Sequence, residues 1–518
     1  MIYITDMKQS EKNPTGADSK KRYKHIEKQA GRWLLICLFW LALWQTGAQL
    51  AGNPLLLPSP GETLSALCGL MGQKSFYLNV LWTVFRCVLA MLLSFAAGAC
   101  CAWLAYRRSW IRSLLALPVS FFKAVPVMAI IIYVILLIRA DWVAVPVCFL
   151  MCFPVVYTNL LGGLDAVPTE LLEAAEVCGL DSRQTGMLLY LPSLLTPIRT
   201  SLKLIAGLSW KAVVAAEVLA VPAYSLGYQM MHAKYYLETP QLFAYIAVIV
   251  TLSAGFEKLV CRLVKPLVWS RYQGSKLHRW LSDAAPAQKT LQRTDGQTSA
   301  VVDGRSKAQN GISDTDFAAP GVQVQHVGKS FDGRAVLKDL TLHLDAGCVT
   351  ALMGPSGAGK TTLARMLAGL TLPDSGTILI DGAYRLSFLF QEDRLLPWLN
   401  VYDNMALGFL DKRRRTLTGQ EIDRRIRDLA EALELTDALD KLPEELSGGM
   451  RCRVAMGRAF AAPTEFLILD EPFRGLDEKL RARVIKRLWQ SETGGKTVLL
   501  ITHRPEDSKQ LADRKLVL

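Results

Sequence analysis

The chain has 518 residues, more than one compact core accommodates, so we expect at least two domains. It is 51% hydrophobic yet 20% charged, an average that excludes a purely membrane-embedded protein and an ordinary soluble one but fits an apolar half joined to a polar half. The formal net charge of +13 does not indicate a nucleic-acid partner, because the basic residues lie largely beside apolar stretches, where the positive-inside bias of membrane proteins places them.

The chain begins with a basic polar tail, residues 1–32, which shows no apolar periodicity. An apolar run follows from Trp33 to about Ala51. A cleaved signal peptide is the alternative interpretation, because Ala48 to Ala51 loosely resembles a cleavage site. The tail is long for a signal peptide and further apolar runs follow, so we expect an uncleaved first membrane span.

Five more apolar stretches follow, and several approach the roughly 20 residues that a helix needs to cross the hydrocarbon core. They lie at 81–105, 125–138, 142–161, 194–221 and 242–264. Residues 33–272 therefore predict an all-α transmembrane bundle of about six spans. Basic clusters lie in the tail, after the second span and after the last span, so all three fall on one face, which we predict to be cytoplasmic together with the N-terminus.

The cysteines number eleven, and the sequence contains no CxxC pair. Buried thiols behave as small hydrophobic side chains. We therefore expect buried free cysteines rather than a disulfide framework. The cysteines inside apolar runs are Cys37, Cys87, Cys100, Cys101, Cys148 and Cys152.

The second half of the chain is predicted to be a soluble α/β domain. Residues 273–320 are polar, lack a periodic pattern and predict a linker. From 321 to 518, apolar strand-like runs at 349–353, 466–469 and 498–501 alternate with amphipathic helices. The predicted fold class is therefore multidomain, a transmembrane helical bundle followed by an α/β domain.

The sequence from Gly354 to Thr361 has the spacing of a P-loop, and it lies between a strand-like run and a helical run, as that motif requires. Its glycines let backbone N–H groups curl around phosphate oxygens, and the helix N-terminus adds a favourable dipole. Lys360 is predicted to reach the β- and γ-phosphates of ATP, and the Thr361 hydroxyl to ligate Mg²⁺. The predicted ATP-binding residues here are Gly354, Pro355, Ser356, Gly357, Ala358, Gly359, Lys360, Thr361 and Thr362.

Two carboxylates follow the strand-like run at 466–469. Because this run lies in the same domain as a P-loop, Asp470 is predicted to hold Mg²⁺ through water, and Glu471 to polarise the attacking water. An ordinary strand end is the alternative interpretation.

Residues 322–518 resemble the ATPases of ABC transporters, because further motifs occur in the order and spacing of that family. The matching residues are Phe331 for an aromatic residue that stacks on adenine, Gln391 for the Q-loop, Ser447, Gly448 and Gly449 for the signature motif, Gly475 to Asp477 for the D-loop, and His503 for the switch histidine. Three positions depart from the commonest pattern of the family: Met450, Cys452 and Arg504. None of them touches the phosphates in the family's scheme, so we expect them to affect the tuning of the ATPase and not its activity.

The resemblance implies an active site shared between two copies, in which the P-loop of one and the signature of the other sandwich each ATP. A homodimer is expected, with a related half-transporter as the alternative partner. Ser447 and the amides of Gly448 and Gly449 would contact the γ-phosphate from one side, and Asp477 belongs to the same nucleotide site. The expected catalytic residues are Glu471, His503, Gln391 and Lys360, and the expected Mg²⁺ ligands are Thr361, Gln391 and Asp470.

The connector between the fourth and fifth predicted spans carries Glu173, Ala174, Ala175 and Gly179. It resembles the EAA loop of importer permeases, and the charge pattern places it on the cytoplasmic face. In that family the loop docks on the ATPase near the Q-loop, so these four residues are the expected coupling residues. An ordinary amphipathic connector is the alternative.

Two segments resemble one branch of importers. Residues 390–398 and 210–217 resemble the nitrate, sulfonate and taurine group, which includes transporters of thiamine-precursor pyrimidines. This implies the type I importer permease fold, a bacterial plasma membrane with the ATPase in the cytoplasm, contact with membrane lipid, and a separate extracytoplasmic substrate-binding protein. ATP-driven import of a small solute is the expected function, and an ABC exporter or an ATPase-coupled membrane signalling module are the alternatives.

Four ionisable residues lie within the predicted spans, where charges are costly and often functional: Arg86, Lys123, Lys211 and Glu217. Lys211 and Glu217 are six positions apart, which at about 100° per residue leaves them off a shared helix face. We favour interhelical pairing or a position near a helix end. The alternative is that Lys211 or Lys123 faces the transport pathway and favours an anionic substrate.

Overall fold

The computed structural model describes residues 16–264, 300–301, 317–411 and 417–518. The start of the basic tail and most of the predicted linker lie outside these residues. Two compact units are present. The first comprises the chain up to Leu161 together with Ile198–Val264, and the second comprises Gly162–Pro197 together with Lys265–Leu518.

The N-terminal half is helical throughout its regular structure. In chain order the helices are α1 Gly16–Ala51, α2 Pro60–Met71, α3 Lys74–Arg107, α4 Ser109–Ala124, α5 Val127–Leu137, α6 Ala144–Asp165, α7 Thr169–Val177, α8 Ser182–Thr185, α9 Leu191–Ala220, α10 Leu226–Tyr235 and α11 Thr239–Val264. Helices α7 and α8 lie in the second unit, so the connector predicted to couple the two domains is grouped with the ATPase part of the chain.

In the part of the chain that the structure describes, three helices are long and apolar enough to cross a membrane: α3, α6 with the turn before it, and α11. Helices α4 and α5 form a pair bent by 106°, which would count as a fourth span. The bend falls at Val125, whose extended backbone is what a following proline, Pro126, favours. In α1 the described apolar stretch is Leu35–Ala51, and α9 contains several charged residues. Over the residues that the structure describes, length and composition support three or four of the about six predicted spans.

A buried ion pair joins α3 to α9 in the first unit. The Nη1 of Arg86 donates to Oε1 of Glu217 at 2.8 Å, and these residues are only 3% and 0% exposed. Arg86 also donates to the carbonyl oxygens of Asp141 at 3.0 Å and Tyr224 at 2.8 Å. The Thr83 hydroxyl donates to Oε2 of Glu217 at 2.9 Å. Glu217 therefore forms an interhelical pair, the interpretation favoured from the sequence.

Replacing Arg86 with Met is expected to destabilise the first unit by about 3–5 kcal/mol, because Glu217 would remain buried without its cation. The double variant Arg86→Met/Glu217→Met is expected to recover most of this loss, since no buried charge is left unpaired. The thermal unfolding midpoint of the purified chain in detergent measures both effects. Lys211→Met is the matched control, because Lys211 is an exposed cation on the same helix as Glu217. Equal losses in the single and double variants would contradict the expectation.

The cysteine expectation is confirmed in part. All cysteines that the structure describes are free thiols, and Cys87, Cys148 and Cys152 are buried. The expectation of burial is wrong for Cys37 of α1 and Cys100 of α3, which are exposed. An apolar run predicts that a side chain lies in an apolar environment, but lipid-facing and core-facing positions of such a run have the same composition.

The second unit contains two sheets. Its strands are β1 Ala300–Val301, β2 Val322–Phe331, β3 Arg334–Leu344, β4 Val349–Met353, β5 Ser375–Ile380, β6 Leu386–Leu389, β7 Phe466–Asp470, β8 Thr497–Ile501 and β9 Arg514–Val517. The antiparallel sheet has the order β1-β5-β2-β3, and the parallel sheet has the order β6-β7-β8-β4-β9. All residues of β7 and β8 are buried, as expected for central parallel strands.

Helices cover and connect these strands. They are α12 Lys360–Leu367, α13 Val401–Ala406, α14 Gly419–Ala432, α15 Gly448–Ala461, α16 Glu478–Val484, α17 Gln490–Thr493 and α18 Pro505–Leu511. Helix α14 begins at a capping box formed by Thr418 and Glu421. Phe317 forms a β-bridge with Ala383, and the carbonyl of Pro320 accepts a hydrogen bond from Thr497 at 2.7 Å, so the packing of this unit begins before residue 321, the predicted boundary.

Candidate nucleotide site and coupling segment

The predicted catalytic groups follow the carboxyl ends of four neighbouring strands. The P-loop residues 354–359 follow β4, Gln391 follows β6, Asp470 and Glu471 end β7, and His503 follows β8. These strands are adjacent and parallel in the order β6-β7-β8-β4, so their carboxyl ends meet at one edge of the sheet. Ligands of open α/β sheets bind at this edge.

The P-loop folds around the Lys360 ammonium group. Its Nζ donates to the carbonyl oxygens of Gly354 at 2.9 Å and Pro355 at 2.8 Å. Gly359 has a φ of +92° and caps α12, and a Cβ there would lie 2.5 Å from the Leu337 side chain. Glycine is thus required where β3 packs against the loop. Thr361 and Thr362 lie in the first turn of α12, whose N-terminus is suited to binding an anion.

A hydroxyl and a carboxylate lie together beside this loop. The Thr361 Oγ1 donates to Oδ2 of Asp470 at 2.8 Å. Burial raises the pKa of the Asp470 carboxyl, and the hydrogen bond from Thr361 opposes that effect. Hydroxyl and carboxylate oxygens are ligands that Mg²⁺ uses alongside water and nucleotide phosphates, so this pair fits the predicted metal site.

Glu471 and His503 are in direct contact. Nε2 of His503 lies 2.8 Å from Oε1 of Glu471. Glu471 has a φ of +51°, an uncommon conformation for a residue with a side chain, and its N–H donates to the carbonyl of Ile501 in β8 at 3.0 Å. This turn, with its uncommon φ, places a carboxylate and an imidazole side by side at the sheet edge that carries the P-loop, and both groups are of the kinds that serve as general bases.

Gln391 lies at the same edge with an exposed side chain. Its backbone carbonyl accepts a hydrogen bond from Nη1 of Arg474, a residue of the D-loop segment, at 3.4 Å. The next residues are anchored from α15, because Arg458 donates to the carbonyls of Arg394 at 2.7 Å and Asp393 at 3.0 Å. The Q-loop segment is therefore held between the D-loop and the helix that follows the signature motif.

The signature motif and the D-loop end in helix caps. Ser447 accepts a hydrogen bond from the Met450 amide at 3.3 Å and caps α15, which begins at Gly448 and Gly449. Asp477 accepts from the Leu480 amide at 2.8 Å and caps α16. In the described part of the chain no hydrogen bond joins these side chains to the P-loop. Their predicted contact with nucleotide therefore stays a prediction that requires a second copy.

Phe331 lies at the end of β2 beside the turn into β3 and is 46% exposed. The P-loop is close to this hairpin, because Val336 and Leu337 of β3 are the side chains that a Cβ at Gly359 would meet. The Lys329 ammonium lies 5.5 Å from the centre of the Phe331 ring. An exposed aromatic ring near the P-loop is suited to stacking on a base.

Glu173 of α7 is held by two arginines. Nη1 of Arg365 donates to Oε2 of Glu173 at 2.9 Å, Nη2 of Arg365 bonds the other carboxylate oxygen, and Nη1 of Arg394 donates to Oε2 at 2.6 Å. Burial disfavours the charged form, but hydrogen bonds and charge from Arg365 and Arg394 outweigh it and lower the pKa of Glu173. Arg365 belongs to α12, the helix that begins at Lys360 of the P-loop.

The two alanines after Glu173 fit into the hydrophobic core of this unit. Ala174 is buried in the cluster that contains Leu363 of α12, whereas Ala175 is buried in the cluster that contains Phe409 and Leu189. Because the two side chains enter different clusters, α7 lies against both. Larger side chains would overpack these positions.

Two further contacts fix the rest of the connector. Gly179 has a φ of +71°, and a Cβ there would lie 2.3 Å from the Asp411 carboxylate. The Trp398 Nε1 donates to the carbonyl of Leu188 at 2.7 Å. The four coupling residues predicted from the sequence therefore all lie in one packed surface of the second unit.

Sequence reasoning missed the partners of this connector. It placed the docking surface near the Q-loop, where Arg394 and Trp398 lie, but not on α12, where Arg365 lies. The available signal was weak: Arg365 is a cation on a largely buried helix, and such a residue usually has an acidic partner.

The fold and site together define a P-loop ATPase attached to a membrane helical domain, and comparisons with known proteins agree. Residues 337–474 match the ABC transporter family, and residues 78–259 match the family of binding-protein-dependent transport system inner membrane components. Over 206 residues the chain is 39% identical to the aliphatic sulfonates import ATP-binding protein SsuB of Zymomonas mobilis, covering 38% of this chain and 81% of that protein. The chain belongs to the ABC transporter family.

Other relatives match the same part of the chain. The sulfate/thiosulfate import ATP-binding proteins CysA 1 of Chromobacterium violaceum and CysA of Synechococcus elongatus are 37% and 38% identical, over 38% and 39% of this chain. The chain spans only 58% and 60% of the length of these two proteins. A bacterial ABC transporter cassette solved as a dimer is 28% identical, with a TM-score of 0.36, and covers 38% of this chain and 94% of its own.

The predicted fold class and family are thereby confirmed. The helical N-terminal half is a permease domain, and the C-terminal half is an α/β ABC ATPase domain. The permease match and the apolar helices make the chain an inner-membrane protein.

Proposed function

We propose that the chain is a half-transporter that couples ATP hydrolysis to the import of a small solute across a bacterial plasma membrane. The observation that carries this proposal is the bonding of Glu173 by Arg365. Arg365 lies on α12, which starts at the P-loop, so a movement of the nucleotide site is transmitted through one short helix to the connector between two membrane helices.

The nucleotide site is proposed to act with a second copy of the chain. The P-loop of one copy and Ser447 of the other would enclose each ATP, with Phe331 against the adenine. Mg²⁺, held by Thr361 and Asp470 with Gln391 nearby, would supply charge neutralisation at the phosphates. Glu471 would orient and deprotonate the attacking water, and His503 would hold the γ-phosphate beside it.

Importer direction is supported by the connector and by the comparisons. The matched permease family is described as binding-protein-dependent, which supports an extracytoplasmic substrate-binding protein as partner. The relatives named above are import ATP-binding proteins for sulfonate or sulfate and thiosulfate. The N-terminus and the ATPase domain are proposed to be cytoplasmic, on the basis of the basic clusters that flank the predicted spans. A homodimer supplies the second half-transporter.

Transport assays on the full chain in lipid vesicles test this function. The assay adds the binding protein and measures radiolabelled taurine, an aliphatic sulfonate, nitrate and a thiamine-precursor pyrimidine. ATP supplied on the ATPase side is expected to move one of these solutes away from the binding-protein side. Movement in the opposite direction would indicate an exporter. Hydrolysis that responds to binding protein without any net solute movement would indicate a signalling module.

A further inference from the structure

A buried hydroxyl next to the switch histidine forms two hydrogen bonds to residues that follow the histidine. Thr502 precedes His503, and its Oγ1 donates to Oδ2 of Asp507 at 3.0 Å. The same oxygen accepts a hydrogen bond from the Arg504 amide at 3.1 Å. One buried hydroxyl therefore fixes the chain on both sides of His503, at the point where it leaves β8.

Asp507 connects this hydroxyl to the segment that follows Glu471. Its Oδ1 bonds Nη2 of Arg481 on α16, and Arg481 and Asp507 are only 5% and 2% exposed. Nη1 of Arg481 donates to Oε1 of Glu478 at 2.6 Å. The guanidinium lies 5.7 Å from the ring centre of Phe473, two residues after Glu471. The network thus spans the two loops that carry Glu471 and His503.

A buried ion pair of this kind is weak evidence for added stability. Removing two charges from water costs about as much as their attraction returns, and packed apolar side chains would stabilise the site equally well. Nε of Arg481 is also buried without a hydrogen-bond partner in the described structure, which adds a cost. The charged network instead restricts geometry, because each of its hydrogen bonds limits the relative orientation of the two segments that it joins.

We propose that Arg481, Asp507 and Thr502 are positioning residues for ATP hydrolysis. They set the direction in which the chain leaves β8, and so hold the His503 imidazole against the Glu471 carboxylate. None of the three is a catalytic residue, because they act through His503. The inference rests on the proposed ATPase function, but its test separates the two.

The hydroxyl of Thr502 is tested with a matched pair of variants. Thr502→Val removes the hydroxyl while keeping the shape, and Thr502→Ser keeps the hydroxyl. With the full chain in lipid nanodiscs, Thr502→Val is expected to lower kcat about tenfold to a hundredfold with KM for ATP changed less than about twofold, because a small displacement of an aligned group costs that much. Thr502→Ser is expected to keep most of the wild-type kcat.

A double variant tests whether the effect of Thr502→Val on kcat depends on His503. Thr502→Val is combined with His503→Ala, and residual rates are measured in single turnovers with radiolabelled ATP. The valine effect is expected to disappear in this background, because groups that act as a unit are not additive. A valine effect that persists there, or equal rates for Val and Ser at wild-type His503, would overturn the inference. An inactive wild-type chain would instead overturn the proposed function.

Arg481 provides an independent variant with its own control on the same helix. Arg481→Gln breaks the buried pair, whereas Arg483→Gln breaks an exposed pair with Glu434 at 2.8 Å. Arg481→Gln is expected to lower kcat about tenfold, and Arg483→Gln to leave it unchanged. Binding of a fluorescent ATP analogue confirms that each variant is folded. Equal kcat values for these two variants would overturn the role of Arg481.

Discussion

Replacing Glu471 with Gln is expected to lower the rate of ATP hydrolysis at least about a hundredfold while ATP binding is retained, because glutamine keeps the shape but cannot accept a proton. The carboxylate lies in contact with His503 and next to Asp470 at the sheet edge, but it makes no hydrogen bond to the P-loop among the described residues. Its loss should therefore leave the phosphate cradle intact. Phosphate release by the purified full chain in nanodiscs measures the rate, and a fluorescent ATP analogue measures the affinity.

The control for this variant is Glu392→Gln. Glu392 is an exposed carboxylate close to Gln391, and its pairing with Arg394 is long, 3.8 Å. Its neutralisation is expected to change the hydrolysis rate less than about twofold, since a carboxylate that is 68% exposed contributes little across such a distance. Unchanged hydrolysis in Glu471→Gln would contradict the assignment of Glu471 as the base. A loss of ATP affinity equal to the loss of rate would make it a binding residue instead.

The placement of the catalytic groups could be predicted from sequence because it follows from topology. The strand-like runs that precede Gly354, Asp470 and Thr502 are apolar except for Thr350, which is typical of buried parallel strands. Parallel strands bring their carboxyl ends to one edge, so motifs that follow such strands converge whatever their separation in the chain. The direct contact between Glu471 and His503 could not be predicted in this way, because strand order does not determine the positive φ of Glu471.

The roles of Ser447 and Asp477 illustrate a limit of motif reasoning. Both side chains cap the helices that they begin in this chain. Serine and aspartate are the residues that helix N-termini prefer, so the same sequence satisfies the local helix and a nucleotide on a second copy. A pattern of residue types does not separate these two uses.

The partners of Glu173 could not be predicted, because they are distant in sequence and supplied by different elements. Arg365 and Arg394 lie 192 and 221 positions away. No periodicity or local motif connects residues at such separations, and only tertiary packing brings them together. The pairing of Arg86 with Glu217 is similar: the helical spacing excluded Lys211 as a partner but could not select α3.

Replacing Glu173 with Ala is expected to uncouple the membrane helices from the nucleotide site. The variant removes three charge-assisted hydrogen bonds, each worth about 1.5–3 kcal/mol, and leaves Arg365 and Arg394 partly buried without their anion. The rate of ATP hydrolysis should stay within about threefold of wild type, since Glu173 contacts no predicted catalytic group. The response of the membrane helices to bound nucleotide should fall at least about tenfold. Glu173→Gln keeps a hydrogen-bond acceptor but loses the charge, so the response of its membrane helices should lie between those of Glu173→Ala and wild type.

Hydrogen–deuterium exchange measures this transmission without knowledge of the solute. In wild-type chain in nanodiscs, trapping with ATP and vanadate is expected to change amide exchange at the ends of α6 and α9, the helices that flank the connector. In Glu173→Ala the change should remain in the P-loop and α12 but disappear from α6 and α9. Glu176→Gln is the matched control, because Glu176 is an exposed carboxylate on the same helix α7. Persistence of the wild-type response in Glu173→Ala would mean that the arginine pair secures the connector without carrying the motion, and that α7 is driven through the buried faces of Ala174 and Ala175 instead.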